Sequence, residues 1–439
     1  MIDNVESSIL YRREFHKYAE PSWKEIRTTS RIVEILHELG YEDVKFGIDA
    51  IDIDSIIKEV KLDEEQRQTE IQRAIKQGAN KDIAKKTLGY PGVVATLDTN
   101  KLGPTIAFRF DIDALPYSET LEEGYRPYDE EFASVNNNTV HACGHDGHTA
   151  IGLALAKKLI NSKNDLVGKI KLIFQPAEES FCGAESIVKK GHLDDVDFLI
   201  AIHLAISADN TPLKSNTIAC GCSDFLSDCQ LDIYFKGVAA HPCGASQEGK
   251  NALLAACSAA LNIHSIAPHE EGLLRVNVGE IHAGVCANTI APNALMRVEY
   301  RGENNVISQY GRQRIMSIIE GTAKMYDIGY DIVDYGEVPT AKSDTELMDL
   351  VKDSAEQVPW FEEIFYYGNV GGTDDATVMM KKVQDNGGKA VYIGIGTDTT
   401  NPLHNDKFDY DESALVAGTD LLFNLIKNIK KHINYDTLS

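Results

Sequence analysis

The stretch His141-Ala-Cys-Gly-His-Asp-Gly-His148 places three histidines, a cysteine and an aspartate within eight residues, and its glycines permit tight backbone turns. Cys143 and His145 are two positions apart, so in an extended or turning segment both side chains can point at one ion. A thiolate and an imidazole together suit a borderline-soft divalent metal such as zinc or manganese. An alternative is a His-rich loop that opens a helix starting near Thr149, with the thiol buried. The density of ligand types favours the metal site.

Further residues of this chemistry follow predicted strands. Short apolar runs alternate with helical stretches such as Thr149–Asn161, which predicts an α/β fold with a mostly parallel central sheet flanked by helices. In such sheets, ligands bind outside the carboxyl ends of the strands. The segments that follow the strands are Asp111-Ile-Asp113, Gln175-Pro-Ala-Glu178-Glu179, His203 and Asn401-Pro-Leu-His404. Because Cys, His and carboxylate groups recur at this one edge, the pattern indicates a metal site there.

Five of these residues are ligand candidates and suffice for two divalent ions if the cysteine bridges them. They are Cys143, His145, Glu179, His203 and His404. Neighbouring side chains in an extended segment diverge, so Glu178 can stay free of metal and act as the general base that amide hydrolysis needs. A Glu-Glu pair is otherwise typical of solvated surface, but this one follows a buried apolar run and Pro176.

The stretch from about 224 to 336 has a different pattern, strand-helix-strand-strand-helix-strand, which predicts an inserted ferredoxin-like plait (βαββαβ). We therefore expect a catalytic metal-binding domain formed by residues 1–223 and 337–439, and a second domain formed by residues 224–336. Residues 52–87 are polar with a helical period, which predicts a solvated helical insertion to which the sequence assigns no chemistry.

Composition limits the partners and the location. The chain has 439 residues and a net charge of −24, which argues against nucleic acid or an anionic membrane as a partner. No apolar run approaches the roughly 20 residues that span a bilayer. The eight cysteines include no CxxC pair, and the first residues lack a signal-peptide pattern. We expect a reduced, cytoplasmic protein in which Cys143 is available as a ligand.

Several motifs carry a family resemblance, and they are distributed over essentially the whole chain. The most specific are His141–His148, Gln175–Glu179, His203 and Arg109-Phe-Asp-Ile-Asp-Ala-Leu-Pro116. Together they resemble the amidohydrolase branch of the aminoacylase and carboxypeptidase superfamily, which contains the hippurate and auxin-conjugate hydrolases. Other segments resemble the branch members that act on aminobenzoyl-glutamate: Arg126-Pro-Tyr, Asn251-Ala-Leu-Leu-Ala-Ala, Ile266–Gly272, Arg275-Val-Asn-Val-Gly and His404-Asn-Asp-Lys-Phe-Asp.

The resemblance implies a dinuclear centre, commonly manganese or zinc, held by the five candidate ligands. It also implies that Glu178 is the general base and that Asp111 is a carboxylate that contacts the metal ligands without binding the metal itself. One departure concerns Asp374, because Gly372-Thr-Asp374-Asp375 stands where Ser-Glu-Asp is commoner in the family. The role of Asp374 is therefore left open.

For the inserted plait, the resemblance implies a lid and dimerisation domain. His241 matches a lid histidine that reaches a neighbouring active site and stabilises the oxyanion. Asn288 and Arg301 match positions that hold the substrate carboxylate. The expected assembly is a homodimer, or a heteromer with a homologous second subunit.

The predicted activity is metal-dependent hydrolysis of N-acyl amino acids, with p-aminobenzoyl-glutamate cleaved to p-aminobenzoate and glutamate. Two alternatives remain: hydrolysis of other N-acyl or N-acetyl amino acids, and a non-catalytic metal-binding subunit of a heteromeric amidohydrolase. A mechanism with Cys143 as nucleophile and His145 as base is less economical. It leaves four candidate residues without a role: Glu178, Glu179, His203 and His404.

Overall fold

The computed structural model describes residues 2–58, 60–180 and 183–432, with side chains from residue 7 onward. The chain divides into two compact units, one formed by Met1–Ser223 with Ala341–Ser439 and the other by Asp224–Thr340.

The strands are numbered in chain order. Within the described ranges they are β1 (Asp43–Phe46), β2 (Val93–Asp98), β3 (Thr105–Asp111), β4 (Lys169–Gln175), β5 (Phe198–Leu204), β6 (Ser207–Ala208), β7 (Thr211–Pro212), β8 (Thr217–Cys222), β9 (Asp228–Lys236), β10 (Leu274–Ala283), β11 (Asn293–Gly302), β12 (Gly329–Val338), β13 (Glu363–Gly368) and β14 (Lys389–Ile395).

The helices are numbered in the same way. Over the described residues they are α1 (Ile2–Lys17), α2 (Ile26–Leu39), α3 (Glu64–Lys76), α4 (Lys81–Lys86), α5 (Arg126–Asp129), α6 (His145–Asn161), α7 (Gly183–Lys189), α8 (Ala252–Ile263), α9 (Asn305–Tyr326), α10 (Thr345–Ala355), α11 (Ala376–Asp385) and α12 (Ser413–His432). None of these helices combines the length and apolar character needed to cross a bilayer.

The first unit contains an eight-stranded sheet in the order β1-β2-β4-β3-β5-β14-β8-β13. Its central strands β4, β3, β5 and β14 are parallel to one another. These strands are almost wholly buried, and parallel strands covered on both faces are typically continuous apolar runs. The predicted α/β fold is confirmed, and the carboxyl ends of the central strands meet at one edge of the sheet.

The helix that follows the metal motif begins at His145, one turn before the predicted start near Thr149. Gly144 precedes it with a φ of 87°, a left-handed conformation that glycine adopts without strain. Cys143 therefore lies before the helix, and His145 lies in its first turn. At Gly147 a side chain would collide with the hydroxyl of Tyr410, so the close approach of these two segments requires glycine.

The polar insertion is less solvated than predicted. Helices α3 and α4 bury one face against α2, in a small cluster that contains Ile26, Ile71 and Ala84. Arg73 of α3 also donates to the buried carboxylate of Glu20 and to the carbonyl of Lys24. One face of the insertion therefore belongs to the packed interior of the first unit.

The second unit is a four-stranded antiparallel sheet in the order β10-β11-β9-β12. Helices α8 and α9 pack on one face of it through alternate strand residues such as Ile233 and Met296. The chain order strand-helix-strand-strand-helix-strand is the ferredoxin-like plait that the sequence predicted. The unit continues to Thr340 because β12 extends to Val338.

Candidate metal centre

The side chains of the five candidate ligands lie together in the first unit. Ligand atoms of Cys143, His145 and His203 lie within 4.8 Å of one another, and so do those of Cys143, Glu179 and His404. Cys143 is common to the two groups. The arrangement therefore offers two adjacent ligand sets with a shared thiol.

His203 is oriented by a backbone carbonyl. Its Nδ1–H donates to the oxygen of Leu204 at 2.6 Å, and its Nε2 lies 3.5 Å from the Cys143 sulfur. Burial lowers the pKa of His203 to about 3, so the ring is neutral and Nε2 carries a free lone pair. A neutral imidazole held in this way is the usual form of a histidine ligand.

His145 is likewise oriented by a hydrogen bond to a backbone carbonyl. Its Nδ1–H donates to the carbonyl of Asp113 at 2.9 Å, and its Nε2 lies 3.9 Å from Oε1 of Glu179. Both of these facing atoms are buried, and neither has a hydrogen-bond partner among the described residues. Buried polar atoms are nearly always satisfied, and this separation is too long for a direct hydrogen bond. The donor set fits a cation between them.

The electrostatics of the cluster favour the same conclusion. Burial and then the charge of Glu179 raise the pKa of the Cys143 thiol well above its usual value. Burial also raises the pKa of Glu179 to about 7, and burial together with Asp374 and Glu179 raises that of Glu178 well above its usual range. Acidic groups crowded out of water resist ionisation, and a bound cation reverses that effect.

The turn that carries Glu178 and Glu179 is held by two buried carboxylates. The N–H of Ala177 donates to Glu25 at 2.8 Å, and the N–H groups of Glu178 and Glu179 donate to the two oxygens of Asp113 at 3.1 and 3.0 Å. Ala177 has a φ of 55°, a strained conformation that persists only when its surroundings fix it. This strained turn lies directly before the predicted base.

Sequence reasoning missed the role of these two carboxylates. Asp113 belongs to the Asp111-Ile-Asp113 motif, in which the sequence predicts a role for Asp111 alone. Glu25 has no local signal, because its contact with Ala177 spans 152 positions of sequence.

Asp111 lies behind the ligands in a buried polar network. It accepts from Arg109 at 2.6 Å and from Nδ1 of His148 at 2.5 Å. The N–H of Leu204 donates to Nε2 of His148 at 2.9 Å, so both ring nitrogens of that histidine are engaged. Arg109 also pairs with Asp374, with an N–O distance of 3.0 Å. His148 therefore supports the centre from behind and has no nitrogen free for a metal ion.

His404 reaches the cluster from the segment after β14. Its φ is 63°, its N–H donates to the carbonyl of Ala142 at 2.7 Å, and its Nε2 lies 3.6 Å from Oε2 of Glu179. Its side chain is 53% exposed, in contrast to the other four candidates. The position of His404 therefore depends on a strained backbone, and its side chain lies at the solvent-exposed edge of the candidate metal centre.

The start of α6 and the segment after His404 are joined by a buried ion-pair network. Arg12 donates to Asp146 at 2.9 Å and to Asp409 at 2.7 Å. The hydroxyl of Tyr410 donates to Asp146 at 3.2 Å. Because Asp146 follows His145 directly, this network links the positions of two candidate ligands that are far apart in sequence.

A cavity of about 290 Å³ opens beside the ligands. Its lining combines acidic or metal-binding groups such as Glu178 and His203, uncharged polar groups such as Ser207 and Tyr392, and apolar groups such as Leu403. No lysine or arginine lines this cavity among the described residues. The space beside the candidate centre is therefore suited to an uncharged, partly apolar group.

His241 belongs to the second unit, and its ring is held in one tautomer. Its Nδ1 accepts the N–H groups of Cys243 and Gly244 at 3.2 and 3.1 Å. The neutral ring therefore carries its proton on Nε2 and presents a hydrogen-bond donor there. The orientation suits an oxyanion donor, and the catalytic role of His241 stays a prediction.

The other two predicted residues of the second unit are engaged within it. Asn288 accepts from the thiol of Cys286 at 3.2 Å. Arg301 pairs with Asp228 and Glu299 at N–O distances of 2.9 and 2.6 Å. Arg301 is therefore charge-compensated, and carboxylate binding would require it to exchange a partner. The roles of both residues in substrate binding stay predictions.

Residues 107–428 match the family model described as Peptidase family M20/M25/M40. Indole-3-acetyl-aspartic acid hydrolase of Enterobacter agglomerans and a subunit of the p-aminobenzoyl-glutamate hydrolase of Escherichia coli K12 are each 42% identical to this chain over 414 residues. Each alignment covers 94% of this chain and 93% of the relative. The crystal structure of an aminobenzoyl-glutamate utilization protein from Klebsiella pneumoniae superposes with a TM-score of 0.79 at 37% identity, covering 96% of this chain and 95% of that one.

Proposed function

The chain belongs to peptidase family M20/M25/M40 and is a metal-dependent hydrolase, and from that premise we propose that it cleaves p-aminobenzoyl-glutamate to p-aminobenzoate and glutamate. The observation that carries the proposal is the facing pair His145 Nε2 and Glu179 Oε1, two buried atoms without hydrogen-bond partners among the described residues. They lie inside the cluster of candidate ligands, where a divalent cation satisfies both.

The residues proposed to hold two divalent ions, manganese or zinc, are Cys143, His145, Glu179, His203 and His404. Bound ions would polarise the amide carbonyl and acidify the attacking water. Glu178 would take a proton from that water and deliver it to the leaving nitrogen of the amino acid. The hydrogen bonds from the N–H groups of Ala177 and Glu178 to Glu25 and Asp113 fix the backbone that carries the Glu178 side chain. His241 would donate from Nε2 to the carbonyl oxygen as negative charge develops on it.

The substrate proposal rests on the relatives and on the cavity. The relative from E. coli is named for p-aminobenzoyl-glutamate and that from E. agglomerans for indole-3-acetyl-aspartic acid. Both compounds join an aromatic acyl group to an acidic amino acid. An uncharged aromatic acyl group suits the cavity beside the ligands, and we assign the α-carboxylate of the amino acid to Asn288 and Arg301. Because the two relatives are equally similar, indole-3-acetyl-aspartate is the second candidate substrate.

We propose a homodimer in a reducing cytoplasm, where Cys143 stays reduced and is available as a metal ligand. A heteromer is the alternative, since the relative from E. coli is named as one subunit of its hydrolase. A chain that only supported a catalytic partner would be expected to lack the base or a ligand. The presence of Glu178 and all five candidate ligands therefore favours a catalytic chain.

A hydrolysis screen tests the proposed function. p-Aminobenzoyl-glutamate, indole-3-acetyl-aspartate and a panel of N-acetyl amino acids are supplied with manganese, zinc and cobalt added separately. We expect the highest kcat/KM for p-aminobenzoyl-glutamate. A metal-loaded protein, verified by elemental analysis, that hydrolyses none of these compounds would contradict the proposal and favour the non-catalytic role.

Replacement of His241 by alanine is expected to lower kcat by roughly 10²–10³-fold with little change in KM, because an oxyanion donor acts mainly in the transition state. Steady-state kinetics measure this separation. If the histidine acts across a dimer, subunit exchange between His241→Ala and Glu178→Gln should restore part of the activity. No recovery after verified exchange would show that His241 does not act in a neighbouring site.

A further inference from the structure

Residues 20–25, the bracing segment, connect the polar insertion to the candidate metal centre within the first unit. On the side of the centre, Glu25 accepts from the N–H of Ala177 at 2.8 Å, and the hydroxyl of Ser22 donates to Oδ2 of Asp113 at 2.7 Å. Glu25 and Asp113 are the two carboxylates that hold the turn of the predicted base. The bracing segment therefore supplies one of them and contacts the other.

The carboxylate of Glu20 fixes the bracing segment to the start of α2. Glu20 is fully buried and accepts from the N–H groups of Arg27 at 2.9 Å and Thr28 at 2.7 Å, both in the first turn of that helix. The first N–H groups of a helix lack partners within it, and the helix dipole favours a negative charge there. Because Glu25 directly precedes this turn, the Glu20 contacts also fix the backbone at Glu25.

Arg73 of the insertion supplies the cation for Glu20. Among the described residues it is the one ion-pair partner of that carboxylate, and it also donates to the carbonyl of Lys24 at 2.9 Å. Its other nitrogens donate to Glu70 at 2.6 Å and to Gln77 at 2.9 Å, at the end of α3. Loss of one partner from a buried ion pair leaves an uncompensated charge, which is strongly destabilising. The guanidinium therefore holds the bracing segment from the side of the insertion.

Building on the proposed function, in which Glu178 is the base, we propose that Arg73 is a positioning residue for that base. Arg73 holds the bracing segment, and the segment holds the turn at Ala177. The turn has a strained φ of 55°, which persists only while its surroundings fix it. Without Arg73 the turn can relax and move the backbone that carries the Glu178 side chain. The polar insertion thereby contributes to catalysis through contacts that lie behind the metal centre.

Kinetics of Arg73→Gln test the proposal on the substrate that the metal-loaded wild type hydrolyses best. We expect kcat to fall by roughly 10- to 100-fold with KM and metal content unchanged, because a small misplacement caused far from the chemistry costs that much. In a Glu178→Gln background the same substitution should cause no further loss, since residues that act as a unit are not additive. An equal fold-loss in both backgrounds would show that Arg73 only stabilises the fold, and would overturn the inference.

Arg67→Gln is the matched control, because Arg67 lies on the same helix and is likewise partly buried. Arg67 donates to the carbonyl of Leu62 at 2.8 Å, and its guanidinium carbon lies 4.8 Å from the centre of the Tyr90 ring. Neither partner belongs to the bracing segment, so kcat should stay at the wild-type value. The same loss of kcat in Arg67→Gln and Arg73→Gln would show that any weakening of the insertion slows the enzyme, which contradicts a specific role of Arg73.

Amide hydrogen exchange tests the bracing without turnover. The N–H groups of Ala177, Glu178 and Glu179 should exchange roughly 10-fold faster in Arg73→Gln, the effect expected from losing a hydrogen bond to a charged group. Their exchange should be unchanged in Arg67→Gln. Unchanged exchange in Arg73→Gln overturns the inference and leaves the proposed hydrolase intact. If the wild type hydrolyses none of the screened compounds, the proposed function fails, and the exchange rates alone decide whether Arg73 holds the turn.

Arg73→Lys replaces Arg73→Gln if the glutamine variant does not fold. Lysine keeps a cation for the Glu20 carboxylate, but the three donors of an ammonium group cannot serve all four partners of the guanidinium. We therefore expect the same pattern, faster exchange at the turn and a lower kcat at unchanged metal content. Wild-type exchange and wild-type kcat in a folded Arg73→Lys protein would overturn the inference.

Discussion

Removal of divalent metal with a chelator is expected to abolish hydrolysis, and manganese or zinc should restore it. Without a cation, the Cys143 thiol stays protonated because burial raises its pKa, and His145 Nε2 and Glu179 Oε1 remain unsatisfied. A ligand that binds only the folded state stabilises it, so the melting temperature should also fall on chelation and rise with added ion. Activity and thermal unfolding are measured on the same preparations.

Elemental analysis of each preparation is the necessary control. Activity that survives in a preparation shown to be metal-free would contradict the metal centre. Cys143→Ser provides a second comparison, since a neutral hydroxyl is a poor shared ligand and the variant should hold less metal. A Cys143→Ser protein that retains its metal and loses all activity would instead favour the cysteine nucleophile.

Glu178→Gln is expected to lose roughly 10²–10⁴-fold in turnover while it keeps its metal and binds substrate, because a positioned acid-base group contributes that much to the rate. Glu179→Gln is the matched neighbour. Its Oε1 and Oε2 face His145 and His404, so we expect this variant to lose metal instead. The measurements are kcat, substrate affinity and metal content for both variants.

Comparison of the Glu178 and Glu179 variants distinguishes the role of general base from the role of metal ligand. The N–H groups of both residues donate to Asp113, so each substitution leaves the backbone of the turn in place. Equal metal loss in the two variants would contradict the assignment of base and ligand. Full turnover in Glu178→Gln would remove the base from the proposed mechanism.

The local pattern of the sequence was sufficient to predict much of this protein. Apolar runs alternating with helical periods predicted the parallel core of the first unit, because strands buried on both faces must be apolar throughout. The order of elements from 224 to 336 predicted the plait. The five candidate ligands could be chosen because the carboxyl ends of parallel strands meet at one edge, so residues far apart in sequence share one location.

Only the tertiary structure decided which atoms of those residues are free. His148 belongs to the same motif as His145, yet Asp111 and Leu204 engage both of its ring nitrogens. Glu25 reaches the Ala177 turn across 152 positions. Such contacts depend on packing between distant segments, which residue spacing along the chain does not encode.

In the second unit too, the sequence predicted the order of the elements and the tertiary structure decided the contacts of individual side chains. The sequence by itself determined that 224–336 alternates strands and helices, and its resemblance singled out Arg301. The tertiary structure decided that Arg301 is held by Asp228 and Glu299 and that Arg275 lies opposite it. Strand register produces that pairing, and register is set by how the apolar face of the sheet packs on its helices. A one-residue slip of either strand would turn that strand's arginine toward the core, so burial of the apolar face keeps the two side chains on the same polar face.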